Sequence, residues 1–378
     1  MSTGRRALPR WIEIGVIPVI NVAIAFLIAG LIVLSIGANP VEAVRILLYG
    51  AFGYPEAIGY TLYYATNFIF TGLAVALAFH AGLFNIGGEG QAYIGGLGVG
   101  LVLLAFDALL PPLLLIALAM IAAAGFGAAW AAVPAYLQAY RGSHIVITTI
   151  MFNFIAAALM VYLLVNVLIA PGSMTPETRE FTAAGQLLLI HDLLPYVGIT
   201  TGRSPLNASI FLAIICGVFV WAFLWHTPWG FELRAMGHNA QAASYAGIKL
   251  RRVTLVAVCL SGALAGFVGI NEIAGVHHRL ILNFTAGYGF GGIAVALMGR
   301  NHPVGVVLAS LLFGALYQGG AELSFEIPAI TKETVVVIQG LVILFSGALA
   351  NLPRSWFAGL LAMLGRGARP APIAAGET

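Results

Sequence analysis

The sequence predicts an all-α polytopic membrane protein of about ten transmembrane helices, with two segments interrupted by glycine, and three observations carry that prediction. Of its 378 residues, 61% are hydrophobic and only 8% are Asp, Glu, Lys or Arg, where soluble domains run to about a quarter charged. The 17 basic and 14 acidic residues cannot cover a globule of this size with a hydrated shell. Apolar runs recur at about 20 residues, the length that crosses a bilayer. A soluble enzyme, a nucleic-acid binder and a disordered regulator are thereby excluded, and a net charge of +3 is too small to point to nucleic acid.

The first run, Ile14 to Ala38, follows Arg5, Arg6 and Arg10. It is too long for the apolar core of a signal peptide and no A-x-A cleavage site follows it, so it stands as an uncleaved span behind a basic anchor over 1–13. Further spans are expected near 60–79, 88–106, 112–138, 144–170, 209–225, 253–276, 280–299, 303–320 and 333–350, which makes 14–353 one transmembrane domain. With the N-terminus inside, Arg5, Arg6, Arg10, Arg141, Arg234, Lys249, Arg251, Arg252, Arg300, Arg354, Arg366 and Arg369 fall in cytoplasmic segments. Arg45, Arg179, Arg203, Arg279 and Lys332 fall outside. That asymmetry places both termini in the cytoplasm of a multi-pass protein.

Between the spans, 39–59 is partly apolar and reads as an interfacial piece on the outer face. Residues 171–208 form the longest external loop, with Glu177, Glu180 and Asp192, and 226–252 the longest internal loop, polar and basic. The end, 354–378, is a cytoplasmic tail that becomes rich in Pro, Ala and Gly from Gly365. Cys216 and Cys259 lie in apolar runs as small buried hydrophobes.

Two spans are broken. One opens with FNIGGEGQ at 84–91, and the other, LILNFTAGYGFGGIAVALMG at 280–299, carries five glycines with Asn283 and Thr285. Non-helical backbone at membrane depth must be satisfied by protein or by a water-filled cavity, so the pair points to a polar path between helices. Phe84 and Gly87 recur as Phe284 and Gly287 at an offset of 200, a faint internal repeat. The competing reading is close helix packing, because Gly96 with Gly100, Gly262 with Gly266 and Gly287 with Gly291 have small-xxx-small spacing.

Polar side chains in or near the spans, with aromatics that could offer planar surfaces to a passing base, give the candidate path and gate: Phe84, Asn85, Glu89, Gln91, Asn153, Asn271, Tyr288 and Phe290. A carboxylate at Glu89 reads either as part of the gate or as a partner of free N–H groups at a short helix N-terminus. Glu272 is placed at a boundary facing external water, and Asn153 either bonds between helices or touches a solute. His277, His278 and Arg279 form a solvated outer cluster, since a metal site would need further ligands at a recognisable spacing. No metal or resident cofactor is expected.

No phosphate-cradling G-x-x-x-x-G-K-[ST] motif exists, because the only lysines, Lys249 and Lys332, follow Ile248 and Thr331. ATP, if it drives this protein, is bound and hydrolysed by a partner. In the internal loop WGFELRAMGHNAQAASYAGIKLRR, Asn239 suits an N-cap and Gly247 a C-terminal stop, giving a short helix with a small-residue face.

Arg234, Ala235, Gly237, Asn239, Ala242, Ala243, Ala246, Gly247 and Ile248 resemble the coupling-loop signature of ABC importer permeases, in the branch that serves ribose, branched-chain amino acids and nucleosides. FNIGGEGQ and GYGFGGIAVALMGRNHPVG at 287–305 resemble the nucleoside subgroup, whose binding proteins are basic membrane lipoproteins. The resemblance covers roughly residues 60 to 350. It implies the ABC importer permease fold and a subunit without its own ATPase site in a bacterial cytoplasmic (inner) membrane. It further implies a second homologous permease, a cytoplasmic ABC ATPase and an extracytoplasmic substrate-binding lipoprotein as partners, with lipid around the spans and no nucleic acid. Arg234, Gly237, Asn239, Ala242, Ala243, Ala246 and Gly247 would couple to the ATPase. The implied solute is a nucleoside or purine, or a simple sugar, carried by alternating access. An ion-coupled secondary transporter of a small polar solute is the alternative, and an intramembrane enzyme lacks a catalytic set within the spans.

Overall fold

The computed structural model describes residues 17–198 and 201–344. The anchor expected over 1–13 and the tail expected over 354–378 lie outside the described residues, as do Arg354, Arg366 and Arg369. The described chain is helical, and it carries no strand beyond two isolated bridges, Glu177 with Ile281 and Leu189 with Asn207. The helices are α1 (Ile17–Ser35), α2 (Pro40–Phe52), α3 (Pro55–His80), α4 (Gly88–Phe106), α5 (Pro112–Arg141), α6 (Ile145–Asn166), the single turn α7 (Ile190–Leu193), α8 (Ser209–His226), α9 (Pro228–His238), α10 (Ala240–Tyr245), α11 (Leu250–Gly266), α12 (Tyr288–Met298), α13 (Pro303–Glu326) and α14 (Lys332–Ile343).

Among the described residues seven helices are long and apolar enough to span a membrane, with α11 and the π-helical turn Ile270–His277 counted as one, and eight if a bent pair is one span. The shortfall from about ten has local causes. Ala23–Ser35 and α2 meet at 119°, because Gly37 turns left-handed and Asn39 caps the new helix by accepting the Val41 N–H. The piece expected on the outer face is therefore a helix. The segment 280–299 is helical only over α12, and α14 is described for 12 residues.

The chain forms two compact units, Met1–Ile46 with Ala321–Thr378, and Leu47–Gly320. In the first, Ala29 and Val33 pack with Ala43, Leu323, Ile330, Val335 and Ile338. The second contains the broken segments. Its centre is set by small residues: Gly127 of α5 lies on the Gly262 carbonyl, Gly266 on the Ala123 carbonyl, and Gly95 and Gly96 of α4 on Gly266 and Gly269. A Cβ at Gly95, Gly127, Gly262, Gly266 or Gly269 would overlap the facing backbone, so the Gly262 and Gly266 spacing does pack helices here, whereas Gly96 and Gly100 face the side chains of Phe284 and Leu280. Cys216 is buried, and both cysteines are free thiols.

The second unit has two distinguishable ends. At one, Asp107 after α4 holds Arg179 of the long 171–208 segment at 2.8 Å through Nη1 and Nη2 and accepts the Thr182 N–H at 2.9 Å. Arg179 holds the Asp107 carboxyl below the usual carboxylate range, and the same pairing raises Arg179. At the other end, Gly237 of α9 presses on the carbonyl of His80, the last residue of α3. The segment 226–252 is more ordered than an internal loop with one helix. Pro228 starts α9, and Thr227 caps it by accepting the Gly230 N–H at 3.1 Å.

Candidate functional site

The two breaks meet. Each half-helix begins at a glycine N-cap, Gly87 for α4 and Gly287 for α12, the pair that the offset of 200 singles out. The Gly289 backbone packs so closely on Gly88 and Glu89 that a Cβ there would overlap the Glu89 backbone. From this junction the helices run to opposite ends. The α4 helix leads to Asp107 and the 171–208 segment, while α12 leads to Arg300, which shares a cavity wall with Arg234 and Gly237 of α9. With 1.5 Å per residue, the 11 residues of α12 put the junction about 16 Å from the α9 end and the 19 of α4 put it about 28 Å from the Asp107 end.

Glu89 ties the junction together. Its carboxylate accepts the Thr285 hydroxyl at 2.6 Å and the Gly287 N–H at 3.0 Å on one oxygen, and the Gly289 N–H at 2.8 Å on the other. All three partners donate, so the acidic group acts only as acceptor and caps the first turn of α12 from outside that helix. The free-N–H reading of Glu89 is what the geometry shows, but the helix it caps belongs to the other break.

The first break is closed by amides. Asn85 accepts the Gly87 N–H at 2.9 Å, and Asn85 and Gln91 exchange side-chain hydrogen bonds at 3.0 and 3.1 Å. Asn85 also donates to Ser261 of α11 at 2.9 Å. Asn153 of α6 accepts the Gly90 N–H and donates to the Ile86 carbonyl, both at 2.9 Å, which is the interhelical bond considered above. These bonds satisfy backbone groups that no helix satisfies.

The second break is different along its N-terminal half. Phe284 inserts against Gly96 and Leu280 against Gly100, yet Asn283 and Ala286 are exposed and both take left-handed angles, φ 57 and 44. Tyr93 of α4 accepts the Asn283 N–H. Phe290 is 50% exposed on the same segment. Exposed irregular backbone does not face hydrocarbon, so this face looks onto water or protein. Tyr288 and Phe84 are packed: Tyr288 lies edge-on to Phe68 at 5.4 Å, and Phe84 edge-on to Phe79 at 5.4 Å.

Glu272 is not at a boundary facing water. It is 1% exposed, on the π-helical turn Ile270–His277 and facing inward. Tyr63 donates to its two oxygens at 2.7 and 2.9 Å, Asn67 donates to it as well, and His277 Nε2 lies 3.3 Å away. Asn271, beside it, donates to Asn67 at 2.9 Å and accepts from Asn207 at 2.8 Å and Ser209 at 2.9 Å. Asn271 thus belongs to this second network rather than to the Glu89 junction. The outer basic cluster is also partnered. Arg279 pairs with Glu177 at 3.0 Å, and His278, lowered in pKa by burial, lies 3.2 Å from the Ala274 carbonyl. Sequence reasoning missed Tyr63, Asn67, Asn207 and Ser261; Tyr63, Asn67 and Thr71 at i, i+4 and i+8 form a polar stripe along an apolar span that marks an inward face.

In the 226–252 segment, Asn239 caps α10 by accepting the Ala242 N–H at 3.0 Å, and Gly247 ends it at φ 86. Asn239, Ala242, Ala246 and Gly247 are exposed with Tyr245, which is 87% exposed, whereas Ala243 is buried. Arg234 points partly inward and Gly237 serves backbone contact with α3. Among the described residues no group of three or more His, Cys, Asp or Glu could hold a metal.

A family profile described as the branched-chain amino acid transport system / permease component matches residues 57–347. The glucose ABC transporter permease protein of Haloferax volcanii is 36% identical over 347 residues, 90% of this chain and 89% of that protein. The guanosine ABC transporter permease protein of Bacillus subtilis is 36% identical over 330 residues, covering 87% and 92%. The nucleoside ABC transporter permease protein of Lactococcus lactis subsp. cremoris is 33% identical over 333 residues, covering 87% and 89%. No solved structure matches.

Proposed function

The chain belongs to the family described as the branched-chain amino acid transport system / permease component, and from that premise we propose that this permease carries a nucleoside, or a simple sugar, into a bacterial cell. The relatives that transport guanosine, nucleosides and glucose support the choice of solute class. One observation carries the reading of the path: irregular backbone over 281–287, exposed at Asn283 and Ala286, lies between apolar helices beside the N-termini of two opposed half-helices. An uncharged polar solute suits that surface, where carbonyls, an amide and the Phe290 ring are on offer.

In this reading the solute passes along the exposed face of the broken segment, and a second, homologous permease supplies the facing wall. A cytoplasmic ABC ATPase binds and hydrolyses ATP and engages α10 through Asn239, Ala242 and Ala246, which are exposed. An extracytoplasmic lipoprotein delivers the solute at the Asp107–Arg179 end. Both termini then lie in the cytoplasm of an inner-membrane protein, the domain runs over 14–353, and the gate comprises the two breaks. Alternating access follows if closure of the ATPase tilts α9, whose Gly237 bears on α3, relative to the junction. The test is uptake of labelled guanosine, adenosine, uridine and glucose in a strain deleted for this chain. ATP-dependent accumulation of a nucleoside that the restored chain rescues supports the proposal, whereas uptake that collapses with an ion gradient and ignores ATP depletion contradicts it.

A further inference from the structure

At the α9 end of the second unit, a cavity of about 380 Å³ opens between the ends of α3 and α8, the side of α9 and the turn from α12 to α13. Arg234, Arg300, His80 and His238 line it together with Trp225 and Phe79, and among the described residues no Asp or Glu does. Two of its lining residues carry polar atoms that the fold leaves unmatched: Arg234 Nε, a donor, and Asn301 Oδ1, an acceptor, are buried without a hydrogen-bond partner. Native interiors rarely leave such atoms unmade, and a guanidinium N–H is among the costliest to strand.

The turn that supplies the far wall is strained. Arg300 and Asn301 both sit in the left-handed region, at φ 53 and 56, where glycine would sit freely. Strain kept in consecutive non-glycine residues goes with side chains that are wanted at that place. The rings are packed as a lining, with Trp225 at 5.4 Å from His80 and 5.2 Å from His302.

We propose that this cavity binds a phosphate-class anion, a phosphomonoester or phosphodiester. Arg234 and Arg300 hold the phosphate oxygens, Asn301 Oδ1 accepts from a hydroxyl of the ligand, and Trp225 and Phe79 cover the group attached to the phosphate. A carboxylate on a partner would meet one guanidinium in a plane, whereas a phosphate offers acceptors in three directions to side chains from separate elements. Arg234 on this account turns inward to the ligand rather than outward to a neighbouring subunit. The anion has two sources, a soluble phosphoester in the cytoplasm or the headgroup of an anionic lipid at the membrane surface.

The full chain in its native complex, reconstituted in phosphatidylcholine nanodiscs, is titrated with inorganic phosphate while tryptophan fluorescence is followed. A parallel set of discs adds phosphatidylglycerol in place of the titrant. A saturable signal that vanishes in Trp225→Phe is expected in at least one arm. Arg234→Gln and, separately, Arg300→Gln should weaken it by about tenfold, and Arg203→Gln, at the other end, should not. Response to phosphate in phosphatidylcholine assigns the site to a soluble phosphoester, and response to phosphatidylglycerol alone assigns it to lipid. Absence of any Trp225-dependent signal in both arms, or a signal that both glutamine variants leave unchanged, overturns the proposal. Because the wild-type titration stands by itself, a misfolded variant does not protect the idea.

Discussion

Removing the carboxylate of Glu89 should unlock the junction of α4 and α12, and the size of the effect can be worked from three hydrogen bonds. Thr285, Gly287 and Gly289 donate to it at 2.6, 3.0 and 2.8 Å. A hydrogen bond to a charged group is worth about 1.5–3 kcal/mol, and a carboxylate at a helix N-terminus adds about 0.3–1 kcal/mol. Glu89→Ala strips all three donors of their acceptor between apolar helices; after discounting for the partial exposure of Glu89, the loss is on the order of 4 kcal/mol. Glu89→Gln keeps an oxygen for Thr285 and Gly287 but turns an amide N–H toward the Gly289 N–H, so it should cost about 2 kcal/mol. Denaturant unfolding in mixed micelles gives the stabilities, and uptake of labelled guanosine in a deletion strain gives the functional cost. Both should fall in the order wild type, Gln, Ala. An alanine variant within about 0.5 kcal/mol of wild type, or a glutamine variant worse than alanine, would refute the assignment of Glu89 as the tie between the two breaks.

Other perturbations test separate contacts. Gly289→Ala places a Cβ on the Glu89 backbone; overpacking of about 1–3 kcal/mol and reduced uptake are expected at normal expression. Ala246→Glu changes an exposed position of the α10 segment and should abolish transport and ATPase capture while leaving the unfolding midpoint unmoved. Gly237→Ala, by contrast, strikes the His80 carbonyl and should lower the midpoint itself. The Asp107 carboxyl is held below its ordinary value by Arg179, so its contribution to stability is complete above about pH 4, the unfolded value, and is lost as the pH falls through the folded one. Asp107→Asn should therefore flatten the acid limb of the stability profile measured by thermal unfolding.

Much of this architecture is written in local composition. The spans follow from apolar length alone, and the α10 cap from Asn239 and Gly247, because each depends on neighbours in sequence. Phe84 with Phe284 and Gly87 with Gly287 mark the two breaks at corresponding places, although nothing local says that the breaks touch. What escaped is set by tertiary context. Glu272 reads as a boundary residue because it stands just before His277, His278 and Arg279; it faces inward on a π-helical turn, and its donors, Tyr63 and Asn67, lie more than 200 positions away. The Glu89 acceptor role was legible as chemistry, but its target helix was not, since the two are 198 and 200 residues apart. Helix α9 was missed because a polar, basic run lacks the apolar periodicity that signals a helix, even though Thr227 and Pro228 announce its start.

The central claim, that the broken segment presents an aqueous face between apolar helices, is tested most directly by thiol accessibility. Phe290→Cys, in a background without Cys216 and Cys259, should react with a charged, water-soluble methanethiosulfonate and be protected by transported solute. Ile155→Cys, at an exposed apolar position of α6, should stay unreactive. Equal inertness at both positions would contradict the account.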